Sequence, residues 1–112
     1  MGSSNQDHRA VAHAAFTACR ARPHSLKSFQ NLILLYEDPV GNNLLENFRP
    51  NFYVDIKNSL NLKKEALSLY KSQLRGPLHQ CSPETITIKA QSRGREVAIE
   101  AAEAFMLYRF LV

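Results

Sequence analysis

The sequence predicts an α/β layer fold: a partial layered sheet of about three strands with three to four helices. Three observations carry that expectation. Phe29 to Tyr36 (FQNLILLY) is a compact apolar run of the kind found in strands buried on both faces, typical of parallel sheets covered by helices. Helical periodicity precedes it from Asp7 and returns from Asn58 or Ser59. Between them, Asn51 to Ile56 (NFYVDI) reads as a second strand after Pro50. At 112 residues the chain has the length of one domain, 1–112, and 45% hydrophobic residues suffice for one core.

Taken in order, the first helix runs from Asp7, whose carboxylate can cap free amides, to about Arg22. Val11, Ala15, Ala18 and Arg22 fall on one face, a narrow alanine-rich seam suited to packing on a sheet. Arg20 and Arg22 oppose the negative end of the helix dipole, and Pro23 ends the element. After the strand ending at Tyr36, Glu37 to Pro50 is a long loop rich in turn residues, and such loops often line binding sites. The helix from Asn58 or Ser59 reaches about Leu74. Its apolar arc (Leu60, Leu62, Ala66, Leu67, Leu69, Tyr70, Leu74) is wide enough to need cover on more than one side.

Arg75-Gly-Pro ends that helix, and Ser82-Pro83-Glu84 starts another: a capping Ser, a Pro at the first helical position, an acid in the first turn. It runs to about Arg93, although Ile86-Thr-Ile-Lys also suits a short strand. A break near Gly94, a short helix over Glu96 to Ala102 and a strand or extended packing segment over Phe105 to Val112 complete the chain. A sheet of three strands leaves apolar edges open, so completion by oligomerisation or by a partner is expected.

Composition narrows the function classes. Fourteen basic and ten acidic side chains give +4, spread along the chain rather than clustered, which argues against a nucleic-acid partner. No apolar run approaches the roughly 18 residues of a membrane span, and the start has no secretory pattern, so a cytoplasmic protein away from membranes is expected. Met1-Gly-Ser-Ser resembles a vector-encoded start. Cys19 and Cys81 lie far apart, in no metal spacing, as reduced structural thiols.

The densest polar cluster is Asn5-Gln6-Asp7-His8-Arg9 at the mouth of the first helix. His8 there is either a metal or proton-transfer group or a solvated side chain beside a capping Asp7. A first-row metal needs three or four converging ligands. His13 falls five residues after His8, off the i, i+4 spacing of paired ligands, and His24 and His79 sit in loops as solvated groups. Glu37 ends a strand on the side where α/β ligand sites form. Phosphate-loop, dinucleotide and serine-hydrolase signatures are absent.

The order of motifs nevertheless resembles a known series. Asp7-His8-Arg-Ala-Val-Ala, Leu35-Tyr36-Glu37, Asn51-Phe-Tyr-Val-Asp-Ile, Lys64 to Gln73, Arg93-Gly-Arg-Glu and Ala102-Glu-Ala-Phe105 look like the C-terminal half of the PIG-L/LmbE-like zinc-dependent de-N-acetylases. The likeness covers about Asn5 to Tyr108. It implies a Rossmann-like hydrolase removing acetyl groups from N-acetylglucosamine-type substrates. The family's second metal motif, His-x-Asp-His, falls here on Asn5, Asp7 and His8. His8 would be a zinc ligand and Asp7 its neighbouring acid, while Asn5 replaces a histidine with an amide that carries no charge. The family's first motif, Ala-His-Pro-Asp-Asp-Glu, has no counterpart, so two of three zinc ligands and the general base are missing.

Three expectations follow from the resemblance. The chain is a truncated or split family member, not catalytic alone and not holding zinc tightly by itself. Or it works with a separate N-terminal half that restores a site for an N-acetylated sugar. Or it is a homo-oligomeric binding or structural module that kept the architecture and lost the chemistry.

Overall fold

A computed structural model describes residues 6–23, 28–37, 48–70 and 76–112. The elements run α1 (Gln6–Ala18), β1 (Leu32–Tyr36), β2 (Phe52–Asp55), α2 (Leu60–Ser68), α3 (Pro83–Arg95) and β3 (Ala102–Phe110). This is the mixed α/β class that the apolar patterning predicts, with three strands and three helices among the described residues. The strand order is β1-β3-β2, so the last strand in sequence lies in the middle. No helix among these residues is long and apolar enough to cross a membrane.

The strands are antiparallel, which corrects the parallel arrangement suggested by the apolar run at β1. Leu32 lies opposite Phe110 and Tyr36 opposite Phe105. Ile56 N–H, just after β2, donates to the Ala101 carbonyl, just before β3, at 3.1 Å, the closing contact of a second antiparallel pair. An apolar run carries no information on direction, and the burial on both faces expected of β1 is not reached: Ile33, Leu34 and Leu35 are half-buried, Leu32 and Tyr36 exposed.

The chain divides into two compact units, residues 1–50 with 105–112, and residues 51–104. In the first, α1 ends at Ala18, four residues short of the Arg22 end expected from the sequence. Arg20 N–H and its side-chain Nε both turn back to the Thr17 carbonyl (3.4 Å each), and Arg109 Nη1 takes the Cys19 carbonyl at 2.9 Å. These cationic contacts satisfy carbonyls that a longer helix would have used. Arg109 also lies over the Phe29 ring, 4.8 Å from its centroid. The packing face of α1 is Ala12, Phe16 and Cys19, all half-buried, and not the alanine seam, of which Val11 is 68% exposed. Phe16 decides this, because its ring offers more apolar area than any alanine on the helix. It meets Tyr108 edge to face, with centroids 4.9 Å apart. The register skips Tyr108 between Arg109 (opposite Ile33) and Leu107 (opposite Leu34), so Tyr108 is the extra residue of a β-bulge.

The second unit has its own core: Ile56, Ala90 and Ala101, with Leu60 packed against them. α2 starts after Ser59, whose hydroxyl makes no cap bond and turns instead to the Ile56 carbonyl. It ends at Ser68, short of the expected Leu74; the Ser68 hydroxyl takes the Glu65 carbonyl at 2.6 Å and competes with the last turn. Leu74 and Arg75 lie outside the described residues, as do His24 and most of the 37–50 loop. Helix α3 begins as its start signal predicts, resolving Ile86-Thr-Ile-Lys as helical. Ser82 accepts from Thr85 N–H at 3.1 Å, with Pro83 in the first turn.

The expected break at Gly94 and the short helix over Glu96 to Ala102 are replaced by one continuous helix and a tight turn. Ile99 N–H closes on the Gly94 carbonyl (2.9 Å) and Ala98 N–H on Arg95 (3.4 Å), the paired bonds of a Schellman turn. Ala98 holds the left-handed position of that turn at φ 60. A Cβ on Gly94 would stand 2.6 Å from the Ile99 carbonyl oxygen and 2.8 Å from Ala101 N, so only glycine fits there. This turn is compact enough that β3 begins at Ala102, three residues before the expected Phe105.

Candidate functional site

Asp7 and His8 occupy the first turn of α1, and both are exposed. With the helix beginning at Gln6, Asp7 lies inside it rather than at its cap, where its charge faces the positive end of the dipole. Asn5, the third residue of the motif, lies outside the described residues. His13 is exposed further along α1, and Glu37 is half-buried immediately after β1.

Catalytic zinc takes three protein ligands that converge on one point. Among the described residues, no three His, Cys, Asp or Glu side chains gather in that way. Asp7 and His8 are two adjacent donors on one helical turn. Cys19 and Cys81 are both free thiols, half-buried.

His79 departs from the solvated role its loop suggests. It is half-buried in the turn before α3, and its Nδ1 accepts from Cys81 N–H at 3.1 Å. The same turn buries Ser82 completely. The Ser82 hydroxyl donates to the Pro77 carbonyl (2.9 Å) and touches Thr85 Oγ1 (2.9 Å), whose own proton goes to the His79 carbonyl. This is a satisfied polar knot, and its work is to seat the start of α3.

Sequence spacing gave no sign of the polar contacts that tie the second unit together. Tyr53 OH donates to Glu96 Oε2 at 2.7 Å, and Arg93 Nη1 donates to Glu96 Oε1 at 2.6 Å. Lys57 pairs with Glu100 at 2.6 Å, and Lys63 with Glu103. The bond to Glu96 is the main reason the Tyr53 phenol is held above its usual value; the bond to Glu100 does the same for Lys57. Stretches that carried the resemblance therefore meet in space, Asn51 to Ile56 with Arg93-Gly-Arg-Glu through Tyr53 and Glu96. These contacts lie on the surface of the unit.

The first unit contrasts with this. It carries Asp7, His8 and the apolar strand β1, yet none of its described residues is fully buried. Among the described residues, the buried ones, Ile56, Ser82, Ala90, Gly94, Ala101, Ala102 and Ala104, belong to the second.

No protein-family model matches the chain. No solved structure matches it either.

Proposed function

We propose that the chain is the C-terminal half of a PIG-L/LmbE-like de-N-acetylase, inactive by itself, whose first unit is completed by groups from outside it. One observation carries the reading: the unit bearing Asp7 and His8 has no fully buried residue among those described, although β1 is entirely apolar. Apolar strand residues left half-covered, as Ile33, Leu34 and Leu35 are, leave room for a packing partner. The motif order supplies the chemistry. His8 would be one ligand of a zinc ion and Asp7 the acid beside it, while the remaining ligands and the general base would come from a polypeptide bearing Ala-His-Pro-Asp-Asp-Glu. Zinc bound there would polarise the acetamide carbonyl and acidify water.

The test is zinc stoichiometry after metal stripping and reloading, with and without such a polypeptide, beside His8→Ala. About one zinc per chain that needs both His8 and the added polypeptide, with deacetylation of an N-acetylglucosamine substrate, is the expected result. Deacetylation by the chain alone, or zinc retained equally by His8→Ala, would overturn it. The second reading, a homo-oligomeric binding module without chemistry, draws on the same half-covered unit and predicts self-association with no His8-dependent zinc.

A further inference from the structure

The chain has two methionines, Met1 and Met106. Met106 lies in the middle strand, β3, where it is half-buried and opposite Leu35 of β1. Opposed residues of an antiparallel pair share a face, so its thioether stands on the same side of the sheet as an apolar side chain. The sulfur also has a polar task. Arg49 N–H donates to Met106 Sδ at 3.3 Å, across 57 positions of the chain. Arg49 is exposed, between half-buried Phe48 and Pro50, where the connection from β1 returns to the described residues. Backbone amides ordinarily find an oxygen or nitrogen acceptor, and a thioether is a weak substitute. The end of the connection is thus tied to β3 through an acceptor atom that a mild oxidant can change.

We propose that Met106 is a sulfoxidation site, at which a peroxide loosens the end of the β1–β2 connection from the sheet. A sulfur lone pair attacks the peroxide; the S–O bond forms and the O–O bond breaks. The departing hydroxide takes the proton of the transferred oxygen and leaves as water, the sulfur being oxidised and the peroxide reduced. The product is a polar, chiral side chain in place of a flexible apolar one. It sets an S–O dipole on the face that carries Leu35, where burial of a polar group is unfavourable. It also disturbs the bond to Arg49. Oxygen added toward the amide must fit within the 3.3 Å separation, although an N–H···O contact by itself takes about 2.7–3.2 Å, so the amide is pushed outward. Oxygen added on the far side leaves an electron-poor sulfur that no longer accepts. Either way the present contact is lost, and reduction of the sulfoxide restores it. The inference needs neither zinc nor a second polypeptide and stands apart from the de-N-acetylase reading.

The test treats the unmodified chain with hydrogen peroxide, weighs its peptides and follows amide exchange by NMR. Met106 should gain one oxygen in the folded chain, and the Arg49 amide should then exchange about fivefold faster or more, as loss of one hydrogen bond implies. Amides of residues 101–104 should keep their rates. A methionine sulfoxide reductase should return the Arg49 amide to slow exchange. Met106→Leu keeps the side-chain volume and removes the sulfur, so its Arg49 amide should exchange fast from the outset and ignore peroxide. The Cys19→Ser, Cys81→Ser double variant should respond as the unmodified chain does, because the thiols have no part in the step. Four results would overturn the proposal. Met106 could stay unoxidised at peroxide doses that convert a free methionine peptide, or its sulfoxide could leave Arg49 exchange unchanged. The sulfoxide could speed residues 101–104 by the same factor, which is general unfolding and not local release. Or Met106→Leu could keep slow exchange at Arg49, which would take the sulfur out of the contact.

Discussion

Gly94 and Ala98 are four residues apart and face opposite constraints. A Cβ at Gly94 meets backbone atoms of Ile99 and Ala101 that cannot move without opening the turn. Gly94→Ala should therefore destabilise the chain by about 2 kcal/mol or more, in the range of core overpacking. Ala98 carries the reverse mismatch, since an alanine at φ 60 costs about 1–2 kcal/mol that glycine avoids. Glycine's looser unfolded chain offsets about 0.4–1 kcal/mol, so Ala98→Gly should stabilise by about 0.5–1 kcal/mol. Denaturant titration of both variants measures this, and a stabilising Gly94→Ala would contradict the close approach. Tyr53 gives a pH signature. Its phenol is held protonated by donating to Glu96, so the contact contributes below the ordinary tyrosine value of about 10 and is lost as pH rises past the raised one. An ultraviolet titration should show a late phase, and Tyr53→Phe should remove it.

At the level of elements, α3 depends on Ser82 more than on its own apolar pattern. Ser82→Ala removes a helix cap and leaves the Pro77 carbonyl and Thr85 amide short of a partner in a buried turn. A loss of about 2–3 kcal/mol is expected from the cap and the buried groups together, read by thermal or denaturant unfolding. A loss within about 0.5 kcal/mol, as at an ordinary surface site, would show that the knot is not holding the helix. The start of α3 was legible because Ser-Pro-Glu states cap, first position and first-turn charge in three adjacent letters. The order and type of the six elements were legible from apolar period and proline or glycine punctuation. Their ends were not: α1 and α2 stop where Arg20, Arg109 and Ser68 capture carbonyls, and such side-chain bonds leave no mark on hydrophobic periodicity. Strand direction and the central place of β3 depend on contacts distant in sequence. At the candidate site, Asp7 and His8 were legible as donors, whereas convergence of ligands is a property of three dimensions.

For the whole molecule, the uneven burial sets where protection should lie. Amides of α3 and of residues 101–104 should exchange slowest, because they line the buried core of the second unit. Those of α1 should exchange far faster. Uniform protection across both units in dilute solution would mean that the first unit is closed by its own residues. The strand order has a further consequence, on the ribosome. β1 and β2 are made early, but the strand that lies between them is β3, near the other end of the chain. Until β3 is made, the Leu-Ile-Leu-Leu-Tyr segment lacks the strand that pairs with it. Non-local pairing of this kind slows folding and prolongs the exposure of sticky segments. The nascent chain is thus a natural client for holding chaperones, and its yield should depend on them more steeply than its size suggests.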